Sequence, residues 1–67
     1  MSNAEIKERI IQFLLANDDL IRATVDRVPS DVAYDAIVNL IERETELNYI
    51  DILFNLDEPT FRNLYLL

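Results

Sequence analysis

The sequence has no cysteine, no histidine, no glycine and no tryptophan. Without cysteine no disulfide can staple the fold, and without cysteine and histidine the common tetrahedral zinc sites have no ligands. Glycine supplies the positive-φ residues on which tight β-hairpins and phosphate-cradling loops depend. Its absence argues against a strand-rich fold and against a nucleotide-binding loop. A calcium loop, which alternates acidic ligands around a central glycine, is missing too. The usual nucleophile and base pairings are also out of reach. The hydroxyls of Ser30, Thr45 and Thr60 stand at helix starts, where capping accounts for them. Asp57 and Glu58 would become a general acid and base only if a cleft raised one pKa, which a bundle this small seldom provides. The chain therefore reads as a non-enzyme with no catalytic residue, no metal ligand and no cofactor.

Long apolar runs are also lacking. The best candidate is interrupted by Gln12 and by Asn17-Asp18-Asp19, short of the roughly 18 residues a membrane span needs. With no signal peptide, the expectation is a soluble protein of the cytoplasm with no membrane contact. Met1-Ser2-Asn3-Ala4 has two readings of equal weight. The four residues could be left over from expression, or Ser2 with Glu5 three positions later could form a capping box for a first helix.

What is present is apolar and acidic. At 67 residues the chain is one domain, 1–67, and a chain so short hides only about 60% of the surface its unfolded form exposes. With no disulfide or metal to help, it needs an unusually apolar core or a partner, and 51% of its residues are hydrophobic. These fall at helical spacing. Ile6, Ile10, Phe13 and Leu14 make a stripe for a helix over 4–16. Asn17 is placed to cap a second helix whose first turn holds Asp18 and Asp19 and whose face is Leu20, Ile21, Thr24, Val25 and Val28, ended by Pro29. Ser30 is placed to cap a third, with Ala33, Ala36, Ile37 and Leu40 on one face. The pattern fails near residues 43–46. A fresh stripe follows at Leu47, Ile50, Leu53 and Phe54, so residues 31–56 form either two helices or one bent one. Asp57-Glu58-Pro59 then opens a last helix. The predicted fold is all-α, a small compact bundle of four to five short helices with connections of one to three residues.

Charge is unevenly placed. Residues 1–27 nearly cancel, whereas residues 28–61 set Arg43 alone against eight acids and so account for the net charge of −7. On a helical wheel Asp31, Asp35, Glu42 and Glu46 fall in one quadrant of the third helix if it runs that far. Such a ridge suits a partner protein with a basic surface, and the plain alternative is an ordinary solvated face. Carboxylates at i and i+4 lie about 6 Å apart, similar to phosphates along a strand, so a decoy of nucleic acid that blocks a basic binding site is a second reading. The Val28-Pro29-Ser30 link resembles a helix-turn-helix connection. A DNA reader would have to bring Asp31, Asp35 and Glu42 to phosphates with no cluster of bases to compensate, so direct nucleic-acid binding is not expected.

Tyr34, Tyr49 and Tyr65 are candidate interface anchors, with core packing as the alternative, and Phe61 is assigned to the core. Val32, Val38 and Ile52 lie off the apolar stripes, and the chain stops on Leu64, Tyr65, Leu66 and Leu67. A lone bundle cannot cover all of these, so a homodimer seamed on the last helix is expected. The function expected overall is a small acidic protein-binding module, an adaptor, regulator or inhibitor.

Overall fold

A computed structural model describes all 67 residues. Five helices follow in order: α1 (Asn3–Ala16), α2 (Asp18–Arg27), α3 (Ala33–Thr45), α4 (Tyr49–Asn55) and α5 (Glu58–Tyr65), with no strand. The bundle is all-α, as the glycine-free, helix-period sequence predicts, and residues 31–56 form two helices. Helix α3 lies at its centre, packed against each of the other four.

Local chemistry sets most of the boundaries. Ser2 is extended and its Oγ accepts from the Glu5 N–H at 3.2 Å, so the capping geometry at α1 is formed. Asn17 alone separates α1 from α2, and its expected role is reversed. Its side chain makes no cap bond to α2. Its backbone N–H and its Nδ2 both donate to the Phe13 carbonyl at 3.0 Å, closing the end of α1. With a single linking residue, the carbonyls left open by α1 lie within its reach, and they take both donors.

The α2–α3 link is longer than the sequence pattern suggests, five residues, 28–32. Val28 is extended, as a residue before proline is driven to be. The Val32 N–H then donates to the Pro29 carbonyl at 3.0 Å, a turn that takes up Ser30 and Asp31 as its central residues. Ser30 therefore does not cap α3. The cap position falls to Val32, and Asp31 stands outside the helix.

Helix α3 stops at Glu46, the one residue with positive φ (61°). A left-handed residue at a helix end is ordinary for glycine and strained for glutamate, and the chain has no glycine to place there. The neighbourhood supports it. Arg9 of α1 donates to the Thr45 carbonyl at 3.1 Å, placing a cation at the negative end of the α3 dipole. The Leu47 N–H donates to Thr45 Oγ1 at 3.3 Å, and Asn48 Oδ1 accepts from the Ile50 N–H at 2.8 Å to cap α4.

The core is a single cluster of 14 residues, all apolar or aromatic. Helix α3 supplies Ala33, Tyr34, Ile37, Val38 and Ile41, a wider buried arc than its predicted stripe because four neighbours surround it. Val38 is thus core. On α4 the predicted face is corrected. Ile50 and Phe54 point into water, 67% and 74% exposed, while Ile52 and Leu56 are buried alongside Leu47. Five of the seven residues of α4 are apolar or aromatic, so its periodicity selects no face and tertiary packing decides. The Tyr34 hydroxyl donates to the Leu56 carbonyl, clasping α3 to the end of α4. Phe61, fully buried, then anchors α5, with its ring 5.6 Å from that of Tyr34 and 5.3 Å from that of Tyr65.

Candidate interaction surface

The inward arc of α3 is apolar, so its outward side carries the polar residues, and two of the four expected ridge acids stand there. Asp35 is exposed and Glu42 half-exposed. They are seven residues apart, about 10 Å along the axis at 1.5 Å per residue. Asp31 and Glu46 flank them from the 29–32 turn and from the left-handed stop. The four acids do not form one continuous helical stripe, because the helix occupies 33–45 and not 31–46. They remain on consecutive backbone, and none of them has an ion-pair partner. The three ion pairs of the molecule are Asp18–Arg22, Arg43–Glu44 and Glu58–Arg62, all exposed.

The position of two of these acids, Glu42 and Glu46, runs against helix electrostatics. Asp35 in the first turn of α3 suits the positive end of the helix dipole. Glu42, Glu44 and Glu46 crowd the opposite end, where cations are favoured. Only Arg43 and the incoming Arg9 guanidinium offset them. A sequence tuned for helix stability alone would reverse these charges.

Of the candidate anchors, Tyr34 is part of the core, and burial pushes its phenol pKa up, with Asp57 and Glu58 adding to the shift. Tyr65 is half-buried beside Phe61, with the Arg22 guanidinium 5.2 Å from its ring centre. Burial raises its pKa too, helped by Asp18 and opposed by Arg22. Tyr49 is half-buried against the core. At the C-terminus Leu64 and Leu67 are exposed, whereas Leu66 packs against the core with Tyr65.

The structure adds a feature that the sequence pattern did not single out. Ile11 and Leu15 on α1 and Phe54 on α4 are exposed on the same side as Leu64. Between α1 and α5 lie two hollows of about 340 and 380 Å³ that share Ile11, Leu14 and Leu64 and so form one groove. The signal for it was the doublets Ile10-Ile11 and Leu14-Leu15. Repeated at i and i+4, they put one apolar stripe inward and a second beside it outward.

No three or more acidic side chains converge as a metal site, and no helix is long and apolar enough to cross a membrane. The class defined by the fold is therefore a five-helix all-α bundle around a central helix, with one acidic face and one apolar groove. Comparison of the chain with protein-family models, with curated proteins and with solved structures gives no match.

Proposed function

We propose that this chain is a small acidic protein-binding module, an adaptor, regulator or inhibitor, that presents the outer side of α3 to a partner protein with a basic surface. It acts by occupancy and not by catalysis, needs no cofactor, and works in the cytoplasm as a homodimer. The observation that carries the reading is the set of unpaired carboxylates at Asp31, Asp35, Glu42 and Glu46. Two of them, Glu42 and Glu46, sit at the helix end where stability favours the opposite charge. Departures from a local rule of this kind gather at functional sites. Asp35 and Glu42 rest on the most deeply packed helix of the molecule, and Asp31 and Glu46 flank its two ends.

The test is capture of partners from source lysate by the chain and, in parallel, by the triple variant Asp31→Asn, Asp35→Asn, Glu42→Gln. The variant keeps its helical circular dichroism, because all three side chains lie outside the core. The wild type retains a basic protein that the variant loses, and that protein elutes as salt is raised, since exposed charges are screened beyond about 8 Å at physiological ionic strength. Equal retention by both chains would reduce the acidic face to a solvated surface.

A further inference from the structure

Helix α5 is fastened at one end. Phe61 is fully buried, with the rings of Tyr34 and Tyr65 beside it, and it is the last residue in the chain that belongs to the core. Past it Arg62, Asn63 and Leu64 are exposed, and Tyr65 and Leu66 are half-buried. The ends of α1 and α3 are better tied. Asn17 gives the Phe13 carbonyl two donors, and Arg9 reaches the Thr45 carbonyl. At the end of α5 the cap is the Leu66 N–H alone, donating to the Arg62 carbonyl at 2.9 Å. Arg62 is the only base of that turn, and it leans back to Glu58 at 3.7 Å. A final turn whose carbonyls lack other donors is where a helix frays first.

Two half-buried side chains and one cation hold this turn to the rest of the molecule. Tyr65 and Leu66 pack against the core. The Arg22 guanidinium of α2 lies 5.2 Å from the Tyr65 ring centre, and Asp18 steadies it through Nε at 2.9 Å. Beneath the turn the packing is open. A hollow of about 340 Å³ is walled by Leu14 and Leu15 of α1, Leu64 and Tyr65 of α5, and the Asp18–Arg22 pair. Close-packed interiors leave few voids larger than a water molecule, so a turn that borders a hollow gives up little packing when it lifts.

We propose that residues 62–67 are a lid, hinged at Phe61 and latched by the Arg22 guanidinium on the Tyr65 ring, whose lifting uncovers Leu14 and the apolar side of α1. Phe61 and the rest of the core stay in place, so the bundle remains folded while the lid is up. With the lid closed, Leu14 is 8% exposed beside a Leu15 that is 72% exposed. With it open, the two make one apolar wall. The deeper half of the groove is thus a gated surface, shown only for the time the latch is released.

The experiment is amide hydrogen exchange of the full chain followed by NMR, with fluorescence of the dye ANS as a report on uncovered apolar surface. Exchange is read at two chain concentrations, because a dimer seam on the last helix would protect the same amides. Leu64, Tyr65 and Leu66 are expected to be less protected than Leu14, Leu15 and Ala16, the matching turn of α1, and α3 to be the most protected. Arg22→Gln and Tyr65→Leu each speed the lid amides about two- to fivefold, the worth of one exposed cation–π contact, and raise ANS fluorescence. The double variant is no faster than Tyr65→Leu alone, because the two side chains make a single contact. Lid amides as protected as those of α3 at the lower concentration overturn the lid. Lid amides indifferent to either substitution, or additive effects of the two, overturn the latch. Unchanged ANS fluorescence in a variant whose lid amides have sped up overturns the uncovering of α1.

Discussion

The outer side of α3 and the groove between α1 and α5 are opposite kinds of surface built on opposite kinds of support. The α3 face has carboxylates and no apolar strip, on a helix held by five buried residues. The groove has an apolar strip and balanced charge, and one of its walls, α5, is held by Phe61 as its one buried residue. The difference teaches that a chain of 67 residues keeps its unpaired carboxylates and its exposed apolar surface apart, the first around the firmest element and the second beside the least anchored one. The two faces should also answer salt differently, because screening weakens contacts between charges and leaves apolar contacts in place.

The largest effect comes from taking away the support of the groove. Phe61→Ala should cost about 3–5 kcal/mol. A chain of this length holds only about 3–10 kcal/mol in total at roughly 0.05–0.15 kcal/mol per residue. Loss of most helical dichroism is therefore the expected result. Phe54→Ala deletes the same side chain from the groove surface and should shift the monomer's stability by no more than about 0.5 kcal/mol, read as an unchanged urea midpoint. If the two variants lost similar stability, the contrast between wall and surface would fail.

Next is the clasp that ties α3 to the end of α4. Tyr34→Phe leaves the Leu56 carbonyl without its donor and should cost about 1–2 kcal/mol in denaturant titration. The same phenol predicts a pH response. Burial, with Asp57 and Glu58, holds the Tyr34 pKa above its ordinary value of 10.0, so the folded state keeps the proton that the unfolded state gives up. The contribution is intact below about pH 10 and is lost as pH rises through the folded pKa. Tyr65, raised by burial in the same direction, adds to the decline. Melting temperature should be level between neutral pH and pH 9 or so and fall beyond it, less steeply in Tyr34→Phe.

The smallest effect sharpens the acidic side. Glu46→Gly relieves the left-handed backbone at the α3 stop and should stabilise the monomer by about 0.5–1 kcal/mol. It also removes one ridge carboxylate, so the urea midpoint should rise while retention of a basic partner falls. If both rose together, the carboxylate would have no part in binding.

How much of this was legible in the sequence varies with the strength of the local signal. Ser2 with Glu5, the Asp57-Glu58-Pro59 start and the break near residues 43–46 each have a short-range cause, and each is found in the fold. Ser30 and Asn17 are good capping residues, but their neighbours outbid them. Pro29 diverts the chain into a turn that consumes Ser30, and Phe13 presents an open carbonyl that claims the Asn17 amide. The face of α4 was not legible because five of its seven residues are apolar or aromatic. Ile52 was chosen over Ile50 by where α1 and α3 stand, which no window of a few residues contains. For the groove the same holds in part. Leu64 and Leu67 were visible as an uncovered tail, whereas Ile11, Leu15 and Phe54 join Leu64 only once α1, α4 and α5 are brought together.

The central position of α3 bears finally on how the chain reaches its folded form. Helix α1 packs on α2, α3 and α4, helix α2 packs on α1 and α3, and α4 and α5 return to α3 after links of three and two residues. Search distances along the backbone are short, the regime in which helical domains fold in microseconds to milliseconds. A nascent chain carrying only α1 and α2 still exposes Ile6, Ile10 and Val25 and has nothing to close over them. Assembly must wait for the middle of the sequence and then involve both flanks at once, which makes a single cooperative step, with no half-built species, the expected kinetics.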